Sequence, residues 1–135
     1  MKKILFFLFL GISILLTACG GGGKPSTTID VTMTDFRFMP DQFTIPAGKD
    51  ITINATNNGA VVHNFVLMKL GTNAGDTWGD EDIPNIFWEM ELQPGTTESQ
   101  TFTAPSDPGE YQVVCRTPGH IAAGMVAKLT VVAGE

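Results

Sequence analysis

Eleven residues, Cys115-Arg116-Thr117-Pro118-Gly119-His120-Ile121-Ala122-Ala123-Gly124-Met125, hold a thiol, an imidazole and a thioether in a chain with two cysteines and two histidines in all. The other histidine opens the stretch His63-Asn64-Phe65. These side chains are soft or borderline donors, so the chemistry they share is ligation of a metal that accepts nitrogen and sulfur together. Each also has a plain structural role open to it. Cys115 fits a core thiol or half a disulfide, His120 a surface turn, Met125 core filling, and His63 a satisfied core histidine. The elements that carry them decide between these roles.

Period-two alternation recurs through the chain, with turn residues between the runs. Ile29, Val31 and Met33 share one face, as do Ile51, Ile53 and Ala55 on a later run, and Gln42-Phe43-Thr44-Ile45 alternates until Pro46-Ala47-Gly48. A strand is predicted over 62–68, with His63, Phe65 and Leu67 on a single face. Further strands are predicted over 97–103 and 110–115, the second with Tyr111, Val113 and Cys115 on one side. Met125, Ala127, Leu129 and Val131 line one face of the last strand. Short strands at this spacing, without a long amphipathic helix, predict an all-β fold, an antiparallel sandwich or small barrel. The segment 69–92 is the least regular; it carries Trp78, Trp88 and six acids (Asp76, Asp80, Glu81, Asp82, Glu89, Glu91). It is expected to be a long excursion between strands with a short helical turn.

On this reading His63 points inward near the start of its strand, Cys115 inward at the end of another, and Met125 inward at the start of the last. Pro118-Gly119 and Gly124 can fold the connecting loop back so that His120 faces the same point. Two imidazoles, a thiolate and a thioether then converge. Structural zinc sites favour cysteines and histidines without methionine, and calcium and magnesium want oxygen. Two histidines and a thiolate with a weak axial methionine describe a blue-copper site.

The first 28 residues read differently. Lys2 and Lys3 precede an apolar run over 4–16, thirteen residues long, whereas a membrane-crossing helix needs about 20. It suits a secretory signal. The run ends in Leu16-Thr17-Ala18-Cys19, which resembles the lipobox of bacterial lipoproteins, and Gly20-Gly21-Gly22-Gly23 begins a flexible tether. The expected organisation is a lipoprotein signal over 1–18, a lipidated Cys19 with its tether over 19–28, and one domain over 29–135. A plain cleaved signal with an incidental cysteine is the alternative. If Cys19 carries lipid, Cys115 has no disulfide partner and needs other protection from oxidation, which a bound metal gives. A Cys19–Cys115 disulfide is the competing arrangement. After cleavage six basic and all fourteen acidic residues remain, a net charge of −8, which disfavours nucleic acid as a partner.

His63-Asn64-Phe65 with Cys115-x4-His120-x4-Met125, on an all-β chain of this size, resembles the cupredoxins. The loop spacing is most like the auracyanin branch, with azurin and plastocyanin more distant. The resemblance covers roughly 29–132 and implies a Greek-key β-sandwich or barrel of about seven to eight strands. It implies His63, Cys115 and His120 as equatorial ligands of one type 1 copper ion, Cu(I) or Cu(II), with Met125 axial. It also implies that Asn64 steadies the cysteine loop through its N–H and side chain, and that the Thr117 N–H is a second donor to the copper-bound sulfur. Val62 stands where azurin has a glycine, so four ligands are expected rather than five.

The function implied is a membrane-tethered carrier of single electrons between redox partners, such as a cytochrome or a membrane electron-transfer complex, on the extracytoplasmic face. The chain is expected to be a monomer, held to the membrane by lipid on Cys19. The alternative is a periplasmic copper carrier or store without electron transfer. A copper enzyme would need histidines beyond the two present, so no catalysis is expected. Gly119, Ile121 and Ala122 around His120 are expected to form the apolar patch that a partner covers, with the acids of 76–91 available for steering.

Overall fold

The computed structural model describes residues 23–134, so the signal segment and Cys19 lie outside the described residues. Alternation becomes nine strands: β1 (Thr28–Thr34), β2 (Arg37–Met39), β3 (Gln42–Pro46), β4 (Asp50–Asn57), β5 (His63–Met68), β6 (Ile86–Leu92), β7 (Thr97–Thr103), β8 (Gly109–Val114) and β9 (Val126–Val132). They pair as two sheets, β2-β1-β4-β7 and β3-β9-β8-β5-β6. The chain changes sheet after β2, β3, β4, β6 and β7, so strands adjacent in sequence face each other across the core.

The all-β sandwich is as expected, but three details differ. There are nine strands among the described residues instead of seven or eight, because β2 is three residues long, too short to show a period. The pairing is mixed: β1 runs parallel to β4, and β3 parallel to β9. No local turn dictates either pairing; both follow from where the crossovers land. The excursion after β5 ends earlier than expected, in a 3-10 turn at Asp80–Asn85, and 86–92 is strand β6. There Met90 and Leu92 are buried and Trp88 is packed against the core, while Glu89 and Glu91 face out. The acids are the solvent side of an ordinary alternation. Ahead of β1 the Ser26 N–H donates to the Thr44 carbonyl at 3.0 Å, tying the start of the described chain to β3.

Inward residues of both sheets make one core centred on Phe65, whose ring meets Phe38, Phe43 and Trp88 edge-on at centroid distances of 5.7, 5.7 and 6.4 Å. Burying a side chain of this size contributes about 1.5–3 kcal/mol, with about 0.5–1.5 kcal/mol more for a well-oriented aromatic pair. Phe65 stands two residues from His63 on the same strand, so the core fixes the strand that carries the histidine. All six residues of β5 are buried. Its second face packs Val66 and Met68 against Ala74, Val114 and Ile121, with Trp78 and Ile86 at the margin.

Candidate metal centre

β5, β8 and β9 lie side by side, and their ends bring the sequence-predicted donors together. His63 is the first residue of β5, Cys115 follows the last residue of β8, and Met125 precedes the first of β9. The loop between them closes as expected. Gly119 and Gly124 take φ of 82° and 95°, a region open to glycine at little steric cost. The His120 N–H bonds to the Thr117 carbonyl (3.0 Å), and the Met125 N–H to the His120 carbonyl (2.9 Å). The Cys115 N–H then bonds to the Met125 carbonyl (3.3 Å), tying the two ends of the loop.

One donor atom from each of His63, Cys115 and His120 lies within 4.8 Å of the others. The Cys115 Sγ is 3.7 Å from His63 Nδ1 and 3.6 Å from His120 Nδ1. Bonds of about 2.0 Å to nitrogen and 2.3 Å to sulfur, meeting at about 120°, place their outer atoms about 3.7 Å apart. Both sulfur–nitrogen distances therefore suit a trigonal metal site. His63, Cys115 and Met125 are fully buried and His120 is 6% exposed. Burial lowers the pKa of both histidines; for His63 the nearby His120 lowers it further, while Asp35 pulls the other way. Both imidazoles are thus held neutral, the form that ligates. The arrangement of His63, Cys115, His120 and Met125 is that of a type 1 copper site.

Residues around the donors join the cysteine loop to β5 and β6. The Asn64 N–H does point at the Cys115 sulfur, at 3.4 Å. Its side-chain amide donates to Glu91 Oε2 (3.0 Å), and Glu89 and Glu91 hold Arg116 on the cysteine loop. Thr117 is placed differently: no bond from its N–H to the sulfur occurs among the described residues. Its hydroxyl donates instead to the Val62 carbonyl at 2.7 Å and stands 3.4 Å from Asn64 Oδ1. That hydroxyl latches the cysteine loop to the entry of β5.

Ile121 is corrected too. It is buried and packs on the outer face of β5, so the exposed loop residues flanking His120 include Gly119, Ala122 and Ala123 but not Ile121. Sequence reasoning missed Asp35 and Phe36, in the turn between β1 and β2. Phe36 is 51% exposed and its ring meets His120 at 5.0 Å. Its φ of 68° is strained for a bulky residue, at a cost of about 1–3 kcal/mol. Asp82, counted among the acids available for steering, is buried and accepts the Gly79 N–H at 2.9 Å. Cys19 lies outside the described residues.

Residues 25–132 match the model of the plastocyanin/azurin family of copper binding proteins. The copper-resistant cuproprotein CopI of Rubrivivax gelatinosus is 29% identical over 119 residues, covering 83% of this chain and 70% of that protein. Auracyanin-B of Chloroflexus aurantiacus is 31% identical over 125 residues, 79% of this chain. The chain spans about half of that relative's length, 53%. Among solved structures, reduced auracyanin of Roseiflexus castenholzii superposes with a TM-score of 0.67 at 32% identity, covering 80% of this chain and 98% of that one.

Proposed function

Because the chain belongs to the plastocyanin/azurin family of copper-binding proteins, we propose that it is a one-electron carrier working at the extracytoplasmic face of a membrane. The observation that carries this reading is the burial of the donor set: three donors have no exposure and only His120 has any. A bound copper ion supplies a one-electron couple between Cu(I) and Cu(II). The protein's part is to hold the donors still and keep water out. Asn64 steadies the sulfur, Thr117 locks the loop, and Met125, buried at the end of that loop, would supply the weak axial donor. Electron exchange then passes at the His120 edge, beside Gly119, Ala122 and Phe36, an apolar rim that a partner covers without desolvating charge. Small contacts of this kind suit short-lived redox complexes.

Anchoring completes the reading. A lipid on Cys19 keeps the domain beside the membrane, and none of the described helices is long and apolar enough to cross one. Intact mature protein is expected to partition into membranes and Cys19→Ala to stay in solution. The relative described as a copper-resistant cuproprotein favours a second reading, a carrier or store that delivers Cu(I). Copper titration of the purified protein, followed in the visible, separates the two. An electron carrier turns blue and is reduced reversibly, and Cys115→Ser abolishes the colour while the fold remains. A colourless protein that hands Cu(I) to an acceptor supports the store. If Cys115→Ser stays blue, the site is wrongly assigned.

A further inference from the structure

His63 has two ring nitrogens, and ligation accounts for one. Its Nδ1 faces Cys115; its Nε2 is buried and has no hydrogen-bond partner of good geometry among the described residues. Among the described residues the one charged group it meets is the Asp35 carboxylate, with Oδ1 at 3.3 Å. That contact is long and angled, an electrostatic one more than a well-made hydrogen bond, yet the surroundings hold it firmly. Asp35 Oδ1 also accepts the Ala60 N–H at 3.1 Å, joining the β1–β2 turn to the loop before β5. Asn57, fully buried, braces that loop: it accepts from the Gly59 N–H and donates to the Val61 and Leu92 carbonyls. Gly59 leaves the space open, since a Cβ there would collide with both His63 Nε2 and Asp35 Oδ1. Asp35 is itself half-exposed, so its carboxylate escapes the large penalty of full burial.

We propose that Asp35 is a positioning residue for His63: its carboxylate keeps the ring proton on Nε2, turns Nδ1 towards Cys115, and lowers the reduction potential of the site. A buried imidazole N–H left without an acceptor costs about 1–3 kcal/mol, so the tautomer with its proton beside Asp35 is favoured. A carboxylate behind a ligating histidine fixes the ring and raises its basicity. Its negative charge also favours the more positive, oxidised site. Asp35 and Phe36 thus address the two histidines from one turn, the first through charge and the second through its ring edge.

The potential rests on the type 1 copper reading, whereas the tautomer is measured without metal, so the two fail separately. In the metal-free, nitrogen-15-labelled full-length protein at alkaline pH, long-range proton–nitrogen NMR should show His63 protonated on Nε2. Asp35→Ala should shift it towards a mixture of tautomers and weaken Cu(II) binding by roughly tenfold or more, the range seen when such partners are removed. Asp35→Asn keeps an acceptor and the turn while removing the charge. It should retain the tautomer and raise the potential of the copper-loaded protein, which a role in the turn alone would not do. A wild-type potential in Asp35→Asn, or an unchanged Nε2–H tautomer in Asp35→Ala, overturns the proposal. A wild-type protein that never turns blue overturns the copper reading instead.

Discussion

β4 and β5 follow one another in the chain, and only β4 leaves a face towards water. β4 alternates strictly, with Ile51, Ile53, Ala55 and Asn57 buried and Thr52, Asn54 and Thr56 on the open side. There the polar side chains pair across strands, Thr52 with Thr101 at 3.3 Å and Thr56 with Thr97 at 3.0 Å. β5 is closed on both faces, by the sandwich core on one side and by the 69–86 segment and the copper loop on the other. An enclosed strand holds its first residue rigidly and excludes water from it. A half-open strand only has to pack one side. The ligand sits on the enclosed one.

The largest effect should come from opening the covered face. Met68→Ala removes a fully buried side chain there and should cost about 2–5 kcal/mol in chemical denaturation of the metal-free protein. A loss no greater than that of a surface substitution would mean the outer face of β5 contributes little, and the contrast with β4 would collapse.

Acid should next sharpen the comparison, because burial lowers the pKa of His63 on β5 and of His120 from its usual 6.5. The unfolded chain then binds more protons than the folded one as pH falls through about 6.5, so metal-free stability should drop below that point and be complete above it. A denaturation midpoint that stays flat from about pH 8 to about pH 5 would show that the two histidines titrate as they do in water.

A smaller and more local change is expected at the one ligand near the surface. Ala122→Asp should slow electron exchange with a partner cytochrome in stopped-flow mixing and leave the visible spectrum unaltered. Unchanged rates would place the exit for electrons away from His120. Least of all should follow from Thr52→Ala on the open face of β4, within about 0.5 kcal/mol; a loss matching that of Met68→Ala would erase the distinction between the two strands.

The sequence by itself determined the donor set and much of the frame around it. Alternation named the inward residues of β1, β3, β4, β8 and β9, because a strand's side chains have a fixed period of two. The cysteine–histidine–methionine spacing, with its glycines, made the loop legible, since a backbone turning at Gly119 and Gly124 can return His120 to Cys115. Neither signal tells which face of a strand another segment will cover. Tertiary structure alone decided that β5 is closed on both sides, that Ile121 turns inward, and that β1 and β3 pair in parallel with distant strands. It also brought Asp35, Phe36 and Glu91 to the site. Their contacts join separate strands and turns, and local spacing carries no record of a meeting that the crossovers between two sheets create.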